Sequence, residues 1–248
     1  MEHLTPFLSV VVPVFNEEAF LEELVERLQR SVDCPFEVLF IDDGSSDESY
    51  TRMKTLCDTR SGVRALKLRR NYGQQNATLA GLLLAGGEWI CTMDADLQHP
   101  PEAVEALLSA AGDSLDVVYG VPGNPLRGPL RNTGSRLRDG IFRVLLGKPG
   151  GLRLTSFRVI RASAVRNLKP PDSAFVYVSA ELLKLTSRLT SVPVPMAASP
   201  HKKTGYSIRS LVRLLLNILV TYGNLPVLRR WKRPGPPFVI EEEYPCAL

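Results

Sequence analysis

The chain is 248 residues long, enough for one large α/β domain or at most two small ones. With 44% hydrophobic and 23% charged residues and a mean hydropathy of −0.01, it is neither a disordered or fibrous chain nor a polytopic membrane protein. A net charge of +4 is too small to imply nucleic acid, and the basic residues lack interleaved aromatic platforms.

No apolar run approaches the roughly 20 residues that cross a bilayer. The opening residues, Met1 to Pro6, lack the basic-then-apolar layout of a secretory signal. Cys34, Cys57, Cys91 and Cys246 form no C-x-x-C pair and no zinc spacing, which reads as free thiols in a reducing cytoplasm.

Leu8 to Val14 is short and β-branched, a buried strand. Glu17 to Arg30 repeats apolar residues at helical spacing, with acids early and bases late. Phe36 to Ile41 is a second strand, Asp47 to Leu56 a helix and Val63 to Leu68 a third strand. Asn76 to Ala85 is a helix of small residues, Trp89 to Met93 a fourth strand, Pro100 to Leu108 a helix and Asp116 to Tyr119 a fifth strand. Strand and helix alternating at this rhythm predict an α/β, doubly wound and mostly parallel sheet. Ligands bind such sheets outside the carboxyl ends of the strands. Two acid clusters fall there: Asp42-Asp43 after the second strand, and Asp94-Ala95-Asp96 after the fourth.

Beyond residue 120 the alternation stops. Residues 121–151 are rich in Gly and Pro and carry Arg127, Arg131, Arg136, Arg138, Arg143 and Lys148 against the single acid Asp139. A short strand over Ser156 to Ile160 and a helix over Ser179 to Leu189 follow. Ser207 to Val220 is a basic amphipathic stretch, too short and too charged to span a membrane. It suits either a lipid–water interface, anchored by the Arg229 to Arg233 cluster, or packing on the core. Residues 229–248, basic and then acidic, read as a flexible tail. The simplest organisation is one domain over 1–228, with a nucleotide half at about 7–120 and an acceptor half at about 121–228.

Two carboxylates two residues apart at a strand end can present oxygens to one hard divalent cation, with Gln98 as a third oxygen. The same Asp-x-Asp also suits a turn or helix cap before Pro100-Pro101. Asp42-Asp43-Gly44-Ser45 is equally open by itself, because a strand-to-helix turn wants those residues for conformational reasons.

In order along the chain stand Val11-Val12-Pro13-Val14-Phe15-Asn16-Glu17-Glu18, Ile41-Asp42-Asp43-Gly44-Ser45-Ser46-Asp47 and Arg70-Asn71-Tyr72-Gly73-Gln74 with Ala80-Gly81. Asp94-Ala95-Asp96-Leu97-Gln98-His99-Pro100-Pro101-Glu102, Thr155-Ser156-Phe157-Arg158 and Lys202-Lys203-Thr204-Gly205-Tyr206-Ser207 complete the set. Over roughly residues 8–228 this resembles family-2 glycosyltransferases of the nucleotide-diphospho-sugar transferase (GT-A) fold. More narrowly it is similar to polyprenyl-phosphate sugar transferases such as dolichol-phosphate mannose synthases.

The resemblance implies an inverting, metal-dependent enzyme of hexosyltransferase type that moves a sugar from a UDP- or GDP-sugar onto a polyprenyl phosphate. Pro13, Phe15, Glu17, Asp42 and Asp43 would bind the nucleotide-sugar, together with Asp94 and with Lys202, which stands where the family has an arginine. Asp94, Asp96 and Gln98 would hold Mg²⁺ or Mn²⁺. Arg127, Arg131 and Ser135 would clamp the acceptor phosphate, with Arg131 joining Asp94 and Asp96 at the catalytic centre. A phosphate monoester, already anionic near pH 7, needs no general base. Ser156 standing where related transferases have an aspartate fits such an acceptor. A soluble hydroxyl acceptor is the alternative; it needs a base, for which Glu181 on the predicted helix is the candidate, though as a surface residue. A non-catalytic nucleotide-sugar-binding partner subunit is a further alternative, against which the intact Asp94, Asp96 and Gln98 argue. Location would be cytoplasmic, with peripheral contact through the C-terminal helix at the cytosolic face of the membrane.

Overall fold

A computed structural model describes residues 6–123, 140–169, 173–195, 208–223 and 234–245. The strands are β1 (Leu8–Val14), β2 (Phe36–Asp42), β3 (Val63–Leu68), β4 (Trp89–Thr92), β5 (Val117–Pro122), β6 (Arg158–Arg161), β7 (Leu189–Val194) and β8 (Ile240–Tyr244). They form a single sheet in the order β7-β5-β6-β4-β1-β2-β3-β8. The left-to-right core β4-β1-β2-β3 is parallel throughout. β6 enters antiparallel between β4 and β5, and β7 runs parallel to β5.

The helices are α1 (Leu21–Ser31), α2 (Ser49–Thr59), α3 (Gln74–Leu84), α4 (Val104–Ala111) after a 3₁₀ turn at Pro101–Ala103, α5 (140–146), α6 (Ala162–Val165), α7 (Val178–Leu185) and α8 (Ile208–Tyr222). They cover both faces of the sheet, which is why the strands read as continuous apolar runs. Alternation divides each strand between two cores. Val10, Val12 and Val14 of β1 and Val38 and Phe40 of β2 pack with Leu21, Leu24, Leu28, Met53 and Leu107 of α1, α2 and α4. Val11, Leu39 and Ile41 face the other way, onto Leu79 and Ala80 of α3, Phe142 of α5, Leu182 of α7 and Ile218 of α8.

The parallel core and its helices match the sequence expectation to within a few residues. Two stretches differ. The helix expected to run to Leu189 stops at Leu185, and Leu189–Val194 is instead the sheet-edge strand β7. Thr186 and Arg188 both hydrogen-bond Asp116, and this turns the chain back onto β5. Within the tail expected to be flexible, Ile240–Tyr244 pairs antiparallel with β3. Its glutamates meet cations: Glu243 binds Arg64 at 2.8 Å and Glu241 binds Lys67 at 3.3 Å.

The C-terminal basic stretch, expected as an amphipathic helix, forms α8. Leu215 and Ile218 are buried against the body of the domain, while Val212 and Leu216, one turn apart, are 48% and 53% exposed. The far end of α8 is fixed by Tyr222, whose hydroxyl accepts the Tyr177 N–H at 3.0 Å. Among the described residues no helix is long and apolar enough to cross a membrane.

Candidate active site

A cleft of about 310 Å³ opens where the four parallel core strands end. Pro13, Val14, Phe15 and Glu17 line it from the end of β1, and Asp43 from the end of β2. Asn71, Gly73 and Gln74 come from the passage between β3 and α3, and Asp94, Ala95 and Asp96 follow β4. This is where a doubly wound sheet binds its ligand.

The wall from β1 is locked to the loop after β2. Asn16 sits in the left-handed region (φ 55°), and its side-chain oxygen accepts the Ser46 N–H at 2.8 Å. In return Ser45 Oγ accepts the Asn16 N–H at 3.0 Å, and Ser49 Oγ accepts the Glu17 N–H at 3.1 Å. Asparagine tolerates that conformation better than most residues, so the clasp holds the cleft-lining Phe15 and Glu17 with little strain. Phe15 is 46% exposed and lines the cleft with an apolar side chain.

The two acids after β2 part company. Asp42 is the last residue of β2, in register with Val14 and Lys67, fully buried, with Oδ1 accepting the Ser45 N–H at 3.1 Å. Asp43 turns into the cleft. Its two oxygens accept the N–H groups of Tyr72 at 2.7 Å and Gly73 at 2.8 Å. Burial pushes its pKa up to about 6 against those two donors, with Asp42 adding to the rise. Asp42 is also raised, chiefly by burial. Of the pair expected at the nucleotide, Asp43 therefore lines the cleft, and Asp42 lies beneath its wall.

Asp94 and Asp96 line the opposite wall together. Asp94 Oδ1 accepts from the Gln74 amide at 2.5 Å and Oδ2 from the Ser156 hydroxyl at 3.1 Å. Asp96 accepts the Gln98 N–H at 3.2 Å, and the Gln98 side-chain amide donates to its other oxygen. Leu97 between them sits at φ 56°, costly for a branched side chain. His99 stacks on Phe157 with centroids 5.1 Å apart, and its Nδ1 accepts the Asp94 N–H at 3.2 Å. A nitrogen that accepts carries no proton, so its 3.9 Å approach to Asp94 Oδ2 is no ion pair.

The donor set fits a hard divalent cation of one kind. Among the described residues no group of three acids, imidazoles or thiols converges. Two carboxylates alone suit Mg²⁺ or Mn²⁺ completed by substrate phosphates and water rather than an all-protein cage. Gln98, expected as a third ligand, holds Asp96 and does not line the cleft.

Glu181, the candidate base, is not the surface residue expected. Its side chain is 13% exposed and lies 3.5 Å from Lys184 Nζ. Burial, followed by the nearby Glu181 carboxylate, raises the Tyr222 hydroxyl pKa. Arg127, Arg131, Ser135 and Lys202 lie outside the described residues. Asn71, Gly73, Gln74 and Ser156 are site residues that site assignment from sequence passes over. The signal for Gln74 was its place at the start of a helix following a strand end, where side chains face the ligand.

A family model described as glycosyl transferase family 2 matches residues 9–168. The undecaprenyl-phosphate 4-deoxy-4-formamido-L-arabinose transferase of Edwardsiella ictaluri is 30% identical over 226 residues, which cover 89% of this chain and 69% of that protein. The protein of the same name from Salmonella choleraesuis is 32% identical over 226 residues, covering 89% and 68%. Among solved structures, Mycobacterium tuberculosis glucosyl-3-phosphoglycerate synthase, in complex with Mn²⁺, UDP and phosphoglyceric acid, aligns with a TM-score of 0.65 at 18% identity, over 98% of this chain and 88% of that one. A mannosyltransferase from Pyrobaculum calidifontis, in complex with GDP-Man and Mn²⁺, gives 0.60 at 20% identity, over 89% and 64%. At such identities these two likenesses concern the fold alone.

Proposed function

The chain belongs to glycosyl transferase family 2 and has the GT-A fold, and from that premise we propose that it transfers a sugar from a UDP- or GDP-sugar to a polyprenyl phosphate with inversion. The observation that carries the reading is the pairing of Asp94 and Asp96, with no third acidic, imidazole or thiol ligand among the described residues, facing Asp43 and Phe15 across one cleft. Two carboxylates leave coordination positions for a diphosphate, and the remaining cleft offers an aromatic face and an acid to a nucleoside.

Asp94 and Asp96 would hold Mg²⁺ or Mn²⁺, which supplies Lewis-acid neutralisation of the charge on the departing nucleoside diphosphate. Phe15 offers its face to the base, and Asp43 accepts from a base N–H or a ribose hydroxyl. Gln74 and Ser156 hold the Asp94 carboxylate in place. Lys202 would brace the diphosphate as a point charge.

Neither of the two candidate bases among the described residues, Ser156 and Glu181, is free to take a proton, which supports a phosphate acceptor. In the transfer, one acceptor phosphate oxygen forms a bond to the anomeric carbon as the bond to the nucleotide's β-phosphate oxygen breaks. A phosphate monoester with second pKa about 6 is the anion already, so no proton has to be removed. Ser156 spends its proton on Asp94, and Glu181 is engaged beside Lys184 and Tyr222, which favours a phosphate over an alcohol. The relatives named for undecaprenyl phosphate support the same acceptor class. Arg127, Arg131 and Ser135 would hold that phosphate in line. Val212 and Leu216, exposed beside Arg213 on α8, would rest on the lipid surface, making the contact peripheral.

The test is transfer from labelled UDP- and GDP-sugars to undecaprenyl phosphate in detergent, with label counted in the organic phase. Label that requires Mg²⁺ or Mn²⁺, vanishes with chelator and is lost in Asp96→Asn is the expected result. Nucleotide release with no label in the organic phase would move the acceptor to a soluble compound.

A further inference from the structure

Arg158 carries a buried charge that the cleft chemistry above does not use. It is 2% exposed and heads the fully buried side chains by size. In β6 it lies in register with Thr92 of β4 on one side and Tyr119 of β5 on the other. Its Nε donates to Thr92 Oγ1 at 3.1 Å, and a terminal nitrogen donates to Ser179 Oγ at 2.8 Å and to the Thr155 carbonyl at 3.4 Å. The guanidinium carbon lies 5.8 Å from the Tyr119 ring centroid. These partners are all neutral, and among the described residues no carboxylate pairs with it. Removing a guanidinium from water without a counter-charge is costly, and an apolar side chain of similar volume would fill the space without that cost. Packing alone does not account for it.

Its partners lead to the acid cluster. The Thr92 hydroxyl has one proton, which it donates to the Ser156 carbonyl at 2.5 Å. By donating to the same oxygen, Arg158 leaves Thr92 no other proton direction so favourable. Arg158 also holds the Thr155 carbonyl, so residues 155 and 156 are gripped from both sides. The Ser156 hydroxyl is thereby aimed at Asp94 Oδ2, and Thr92 itself lies two residues before Asp94. We propose that Arg158 is a positioning residue for the cation-binding carboxylate Asp94, acting through Thr92 and Ser156. This rests on the assignment of Asp94 to the cation. Ser156 stands one step behind the metal ligand, where removal of a partner typically changes metal affinity by 10- to 100-fold, and Arg158 shares in that effect by holding it.

The test is Mn²⁺ affinity, followed by electron paramagnetic resonance with UDP and with GDP in turn, alongside thermal melts. The variants are Ser156→Ala, Arg158→Met, Arg158→Lys, the Ser156→Ala/Arg158→Met double and Asp94→Asn. Ser156→Ala and Arg158→Met should each weaken Mn²⁺ about 10-fold. The double variant should be no weaker than Ser156→Ala alone, because Arg158 acts through Ser156. Arg158→Lys should recover part of the loss. Parental Mn²⁺ affinity in both single variants would overturn the proposal, as would a double variant equal to the product of the singles. Should Arg158→Met fail to fold, Thr92→Val and Ser156→Ala carry the same comparison: weakened binding supports the relay and unchanged binding overturns it. Asp94→Asn separates the two levels. If it binds Mn²⁺ like the parent, the cation assignment itself falls and this inference with it. If it alone loses Mn²⁺, only the positioning role fails.

Discussion

The Gln74 side-chain amide donates to Asp94 Oδ1 at 2.5 Å, linking the first turn of α3 to the acid that follows β4. Both residues line the cleft, so this bond spans the floor on which a diphosphate would sit. A hydrogen bond to a charged partner contributes about 1.5–3 kcal/mol. Gln74→Ala should therefore lower kcat/KM for transfer by about 10-fold or more, with the melting temperature nearly unchanged because Gln74 is exposed to water. Gln74→Glu should lose more, since it sets a like charge against Asp94. Steady-state kinetics on the two variants check this, and parental kcat/KM in Gln74→Ala would remove Gln74 from the site.

Asp43 gives the protein a pH dependence of definite sign. Its folded pKa, about 6, lies above the ordinary carboxylate value, chiefly through burial. Between about pH 4 and 6 the folded protein thus holds a proton that the unfolded chain has released. Stability from this group is lost as pH rises through that window, by about 3 kcal/mol at most. Asparagine at 43 cannot titrate, so the difference between parent and Asp43→Asn isolates the effect. Urea unfolding of both proteins from pH 4 to 7.5 should show the parent losing ground to the variant as pH rises. A difference that stays flat across the range would contradict the burial of an ionised Asp43.

Asp42 and Asp43 mark how far the sequence could be read. The parallel core was legible because its strands are short, β-branched runs separated by helices with clear apolar spacing, and the acid clusters stood at strand ends. Which of two adjacent aspartates enters the cleft was not legible. That depends on where pairing stops: Asp42 is still in register with Val14, and Asp43 is the first residue free to turn. β7 was hidden because Thr190, Ser191 and Pro193 interrupt its apolar residues and leave no strand alternation. β8 was hidden because its glutamates are explained only by Arg64 and Lys67 on a strand 170 or more positions away. The chain Arg158–Thr92–Ser156 joins residues 64 or more positions apart and leaves no local pattern at all.

Gly44 is required by both conformation and space. It sits at φ +73°, and a Cβ there would stand 2.7 Å from the backbone of Arg70 and Asn71. Those atoms cannot swing aside as a side chain end would. Gly44→Ala should cost about 3 kcal/mol from the left-handed conformation and the forced displacement. The displaced segment, the passage from β3 to α3, carries Asn71 and, just beyond, the Tyr72 and Gly73 N–H groups that hold Asp43, so UDP or GDP affinity should fall as well. Urea unfolding and calorimetric nucleotide binding test the two halves separately. An alanine variant of parental stability would refute the close approach.

The outer strand β8 should support the sheet without serving the chemistry. It contributes ladder bonds to β3, the ion pairs of Glu243 with Arg64 and Glu241 with Lys67, and a bond from the Tyr244 hydroxyl to Asp58 at 3.0 Å. Each surface pair contributes under about 1 kcal/mol, and each ladder bond about 1 kcal/mol. Removing residues 238–248 should therefore cost about 3 kcal/mol, with kcat for transfer retained within about 3-fold. It should also uncover β3, whose Ala65, Leu66 and Leu68 are apolar, as a new sheet edge. The three consecutive glutamates of β8 now present charge at that edge, which opposes pairing with another chain. Light scattering on warming should then show the truncated protein aggregating well before the parent, and more readily in high salt, where residual repulsion is screened. A truncated protein that melts at the parental temperature and scatters light no earlier than the parent would show that β8 only lies against the sheet.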